Sequence, residues 1–92
     1  MLKTFKSKAL RELWQTGKSR KIAADLRSNI AIILSVLDVA ESKNDLNLPG
    51  FNFHSLRRFK PTRYSIHVNG PWCVTFEFAD GEARKVNLEQ YH

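Results

Sequence analysis

The spacing of apolar residues changes halfway along the chain, from a helical repeat to alternation, and that change limits the fold to helices packed against a sheet. Ile22, Leu26, Ile30, Ile33, Leu34, Leu37 and Ala40 recur at steps of three and four, the period of one helical face. Beyond Pro49-Gly50, Phe51 and Phe53 alternate with Asn52 and His54. Tyr64, Ile66 and Val68 alternate with Ser65, His67 and Asn69, and Trp72, Val74, Phe76 and Phe78 with Cys73, Thr75 and Glu77. Such alternation gives a strand one apolar and one polar side. Asn69-Gly70 and Asp80-Gly81 between these runs predict tight hairpins. Val86 and Leu88 mark a final strand.

The rest of the first half fits the same plan. Ser7 is placed to cap a first helix carrying Ala9, Leu10, Leu13 and Trp14, and Gly17 to end it in a left-handed cap. Leu2 to Phe5 reads as a short opening strand, and Ser42-Lys43-Asn44-Asp45 closes the second helix. The fold class is α+β, and residues 1–92 are expected to form one domain, long enough for a modest core. The polar side of the sheet collects His54, His67, Cys73 and Thr75 and is expected to be an open face on which a ligand can lie.

Composition narrows the function. The opening Met1-Leu2-Lys3-Thr4-Phe5-Lys6 has no long apolar run, and Ile30 to Leu34 is far shorter than a membrane span, so neither a signal peptide nor a membrane partner is expected. One cysteine makes no internal disulfide and fits a reducing cytoplasm. A formal charge of +6 favours a polyanionic partner.

Two histidines and an arginine carry the most chemistry. His54 and Arg57 lie on an early strand edge, and Tyr91-His92 follow the last strand. Imidazole serves as base and acid near neutral pH, and arginine neutralises charge building on a phosphate. No metal-ligand spacing accompanies either histidine, so neither metal nor cofactor is expected. Arg57-Arg58-Phe59-Lys60-Pro61-Thr62-Arg63 is a basic loop with an aromatic inside it. Arg58, Lys60 and Arg63 are candidates for RNA phosphates, with Phe59 as a stacking surface. Lys18, Arg20 and Lys21 form a second basic cluster in the connector between the helices. His67 reads as sheet surface and Cys73 as an inert small filler.

An ordered set of motifs goes further: Leu46-Asn47-Leu48-Pro49-Gly50-Phe51, His54-Ser55-Leu56-Arg57, Tyr64-Ser65-Ile66-His67-Val68-Asn69, Trp72-Cys73-Val74-Thr75-Phe76, Asp80-Gly81 and Tyr91-His92. Together they resemble the HigB killer toxins of bacterial toxin–antitoxin systems, within the RelE/ParE superfamily. The resemblance implies two N-terminal helices packed on a curved, mainly antiparallel β-sheet. It also implies a metal-independent endoribonuclease that cuts messenger RNA on the ribosome, by attack of a ribose 2′-hydroxyl on the adjacent phosphate. The implied partners are a cognate helix-turn-helix antitoxin, the ribosome with its mRNA and ribosomal RNA, and operator DNA only through the antitoxin.

By position, His54, Tyr91 and His92 match the family's site residues, and Arg57 stands where relatives carry lysine. Cys73 stands where relatives read arginine, and Gln90, a candidate in the site by position, replaces an acidic residue. An amide accepts a hydrogen bond but takes no proton. These departures leave two alternatives to a working toxin: a catalytically weak toxin-fold protein that pairs with an antitoxin, and a gyrase poison like the ParE branch.

Overall fold

In the computed structural model, which describes residues 1–90, two helices cover one face of a four-stranded sheet. Helix α1 spans Lys8–Thr16 and α2 spans Ala24–Val39. A short 3-10 turn at Lys43–Leu46 leads to β1 (His54–Leu56), β2 (Arg63–Asn69), β3 (Trp72–Ala79) and β4 (Glu82–Gln90). The sheet order is β1-β2-β3-β4, and every neighbouring pair is antiparallel.

Local chemistry explains the helix ends. The Ser7 hydroxyl accepts from the Leu10 amide at 3.1 Å. Gly17 closes α1 at φ 77° and donates to the Leu13 carbonyl at 2.8 Å. Past α2, Ser42 and Asp45 form a reciprocal capping box, so the segment expected to end the helix begins the 3-10 turn instead. Every member of the helical stripe, Ile22 through Ala40, is buried. It packs with Leu10, Leu13, Ile66, Val74, Phe76 and Val86. Phe53, Tyr64 and Phe76 extend this core as a ring stack, with the first two centroids 5.4 Å apart. Asn29 fastens α2 to β2 by donating from its side-chain amide to the Val68 carbonyl at 3.2 Å.

Three further expectations from the sequence need correction. Leu2–Phe5 is not a full strand. It makes two isolated parallel bridges to Ala83 and Val86, with backbone bonds such as Lys6 N–H to the Val86 carbonyl at 2.8 Å. It thereby covers the outer edge of β4. The strand expected from Phe51 starts only at His54; Phe51 is tied past it, accepting from the His67 amide at 2.7 Å. Finally, the polar side of the sheet is less open than expected. Ser65, Cys73 and Thr75 are buried there, and so is Arg63.

A bulge in β4 completes the frame. Thr75 pairs with Asn87 but Glu77 pairs with Arg84, so β4 carries one more residue than β3 in this stretch. Lys85 takes a left-handed φ of 50° there. The bulge lets Ala83 and Val86, three residues apart, both reach the core.

Candidate active site

The helix-free face of the sheet can be laid out by rungs. One rung runs His54, Ser65, Thr75, Asn87 across all four strands. On one side lies the rung His67, Cys73, Glu89; on the other, Leu56, Arg63, Glu77.

His54 opens β1, the edge strand, and is half-buried. Its Nδ1 lies 2.9 Å from the Asn52 carbonyl oxygen. A carbonyl only accepts, so Nδ1 carries the proton and Nε2 is the basic nitrogen of the neutral ring. Asn52 is held at φ 46°, a left-handed turn that aims its carbonyl back at the ring. The edge position and this turn place His54 with a defined tautomer, the arrangement a general base needs.

Arg63 is the largest departure from expectation. Instead of projecting from a basic loop, it starts β2 and is only 7% exposed. Its Nη2 donates to Thr75 Oγ1 at 3.1 Å and to the Lys85 carbonyl at 2.9 Å. Glu77 lies 3.9 Å from Nη1 and also 3.8 Å from Lys85 Nζ. The Thr75 hydroxyl donates onward to the Glu89 carboxylate. A polar chain thus crosses from β2 to β4, with Thr75 on the His54 rung at its centre.

Cys73 sits one rung away. Its thiol donates to the Glu89 carbonyl at 3.5 Å. Burial pushes its pKa up, the charge on Glu89 adds to this, and a hydrogen bond with Ser65 works against it. The thiol is therefore neutral at physiological pH and supplies neither nucleophile nor charge.

The remaining candidates lie around this centre. Arg57, Arg58 and Lys60 are exposed in the turn after β1, beside the exposed Phe59. Gln90 ends β4 opposite Trp72, one residue past Glu89, so alternation puts it on the other side of the sheet from the His54 and Cys73 rungs, apart from the site the sequence assigned it to. Lys18, Arg20 and Lys21 are exposed in the connector between the helices. Tyr91 and His92 lie outside the described residues. Among the described residues, no group of three or more His, Cys, Asp or Glu side chains is arranged to hold a metal ion, and no helix is long and apolar enough to cross a membrane.

Three residues of the face escaped the sequence reading, Lys6, Lys85 and Glu89, and Glu77 reads as lying on the polar side of its strand but not as part of a site. Alternation alone would have put Glu77 beside Thr75. Lys85 is hidden by the bulge, and Lys6 by the bridging of the opening segment to β4.

Comparison with known proteins agrees with this architecture. A family model described as the RelE-like toxin of the type II toxin–antitoxin system HigB matches residues 3–92. The chain is 33% identical over 92 residues to the endoribonuclease HigB of Proteus vulgaris, covering 100% of both chains. It is 29% identical over 89 residues to toxin HigB-1 of Vibrio cholerae, covering 95% of this chain and 94% of that one. An uncharacterised protein of Haemophilus influenzae is 29% identical, with 95% and 88% covered. With two helices on a four-stranded antiparallel sheet and a match over nearly its whole length, the chain belongs to the HigB-like family of RelE-like type II toxins.

Proposed function

We propose that this toxin is a ribosome-dependent endoribonuclease that cuts messenger RNA and is restrained by a cognate antitoxin. The supporting observation is His54, fixed in one tautomer at the edge of a helix-free sheet face that is rimmed by Arg57, Arg58 and Lys60. His54 Nε2 takes the proton from a ribose 2′-hydroxyl, which attacks the adjacent phosphate. The basic turn neutralises the charge that builds on the phosphate. Tyr91 and His92, which follow Gln90 in the sequence, are the candidates for protonating the leaving oxygen, and Gln90 for orienting them. The name endoribonuclease borne by the Proteus relative supports the same class of reaction.

No step here needs a metal: the nucleophile is the substrate's own hydroxyl, and the proton carriers are side chains. Because the groups lie on a shallow face, the ribosome is proposed to supply the alignment of the RNA. The helix-turn-helix antitoxin would restrain the toxin, and operator DNA would be reached only through it. A weak or inactive copy is the second reading, favoured by the uncharged, buried thiol at position 73 and the amide at position 90.

RNA end mapping tests the proposal. Programmed ribosomes should yield mRNA fragments ending in 2′,3′-cyclic phosphate and 5′-hydroxyl, whereas naked RNA should stay intact. Fragments ending in 3′-hydroxyl would contradict the mechanism. No cutting in either setting would favour the inactive copy, or a gyrase poison if a supercoiling assay run alongside is inhibited.

A further inference from the structure

Next to the His54 rung, the buried Arg63 forms the floor of a cavity of about 350 Å³. Lys6, Lys60 and Lys85 line it with Phe59, and Glu77 and Glu89 contribute the two carboxylates. This is within the range of small-molecule sites, roughly 300–1,000 Å³. We propose that the cavity is a nucleotide subsite, holding one phosphate of single-stranded RNA on Arg63 with the adjoining base against Phe59. The proposal deepens the RNA-cleavage reading and rests on it for the identity of the ligand.

Three observations support it. First, Arg63 is buried but unevenly used. Nη2 is committed to Thr75 and Lys85, while the Nη1 side meets Glu77 only at 3.9 Å, beyond hydrogen-bonding distance. A guanidinium with one edge fixed and the other towards a cavity suits an oxyanion. Second, four cations against two carboxylates give the cavity an excess of positive charge. Glu77, 3.9 Å from Arg63 Nη1 and 3.8 Å from Lys85 Nζ, is the carboxylate placed to compete with a bound phosphate for these cations, whereas Glu89 accepts from the Thr75 hydroxyl. Third, Phe59 keeps 44% of its surface in water at the cavity rim, although it is flanked by cations. Such an exposed aromatic suits base stacking.

Position assigns the nucleotide. Arg63 lies two residues along β2 from Ser65, the partner of His54. That is about 7 Å along a strand, of the order of one nucleotide step. The subsite would thus hold a nucleotide next to the one cleaved.

Amide NMR titration of the whole chain tests this with adenosine 5′-monophosphate, the dinucleoside monophosphate ApA, inorganic phosphate and adenosine. The two nucleotides should shift the amides of Phe59, Arg63 and Lys85. Inorganic phosphate should shift fewer of them, and adenosine none at the same concentration. Phe59→Ala and Lys85→Ala, both at exposed positions, should each weaken nucleotide binding several-fold. Glu77→Gln should tighten it several-fold, because it removes the competing carboxylate. If Arg63 serves only as a buried ion pair with Glu77, nucleotides will leave the cavity amides unmoved, and the proposal falls. Weaker binding by a folded Glu77→Gln variant would also overturn it, as would a cavity that takes the monoester and rejects ApA. His54 does not line the cavity, so His54→Ala should bind nucleotide normally while losing cleavage. Absence of cleavage by the parent would sink the nuclease reading, and cleavage that survives His54→Ala would sink His54 as its base; either result leaves the subsite standing.

Discussion

Arg63 and Cys73 lie on flanking rungs of the same sheet face and meet burial in opposite ways. Arg63 keeps its charge by hydrogen bonding to Thr75 and Lys85, with Glu77 nearby. Cys73 loses the option of charge, chiefly through burial. A thiol whose pKa is raised in the folded state holds its proton more firmly there than in the unfolded chain. Its contribution to stability is complete below the ordinary thiol pKa of about 8.5 and is lost as pH rises through the folded value. Cys73→Ala should therefore flatten the alkaline loss of stability, read as the slope of unfolding midpoint against pH between neutrality and strongly alkaline buffer. An unchanged slope would mean the thiol is not desolvated. Reactivity runs at the same scale: Cys73→Arg places a cation on the rung beside His54. It should raise single-turnover cleavage on ribosomes, at most about a hundred- to a thousandfold, with little change in ribosome affinity. An unchanged rate in a folded variant would mean that the existing cations already do this work. Neither the burial of Arg63 nor that of Cys73 was legible in the sequence. Alternation gives the side of a strand but not what else closes over that side.

At the scale of elements, the sequence was most readable where one pattern repeats. The stripe from Leu26 to Leu37 packs along α2 as its spacing requires, with Ile22 and Ala40 buried just outside the helix ends, and Asp80-Gly81 turns with both residues at positive φ, 55° and 74°. The same physics gives stability predictions. Leu34 is fully buried in the centre of α2, so Leu34→Ala should cost about 2–5 kcal/mol in urea unfolding. A loss well under that would mean the helix repacks over the gap. Gly17→Ala forces a side chain into a left-handed cap and should cost about 1–2 kcal/mol. What the sequence concealed were pairings set by tertiary context. Leu2 and Phe5 alternate too briefly to distinguish a strand from isolated bridges. The β4 bulge brings Ala83 onto the core side out of step with Val86 and Leu88, and no residue type marks it, since Lys85 is an unusual occupant of positive φ. The tautomer of His54 likewise depends on the turn at Asn52, which motif spacing does not encode.

For the whole molecule, the helices occupy one face of the sheet and the candidate chemistry the other. Core packing and the proposed RNA contact thus fall on separate surfaces, which lets a 92-residue chain with charge +6 accommodate both. Binding to ribosomes should weaken steeply with salt, because each phosphate contact releases counterions. Replacing Arg58 and Lys60 together should reduce the slope of log affinity against log salt by about two if both touch phosphates; an unchanged slope would place the RNA elsewhere. The most direct measurement of the central claim is single-turnover cleavage of mRNA on programmed ribosomes, comparing the parent with a folded His54→Ala variant at equal ribosome occupancy. The parent should cut, and the variant should bind without cutting. Cleavage by His54→Ala at the parent's rate would contradict the claim.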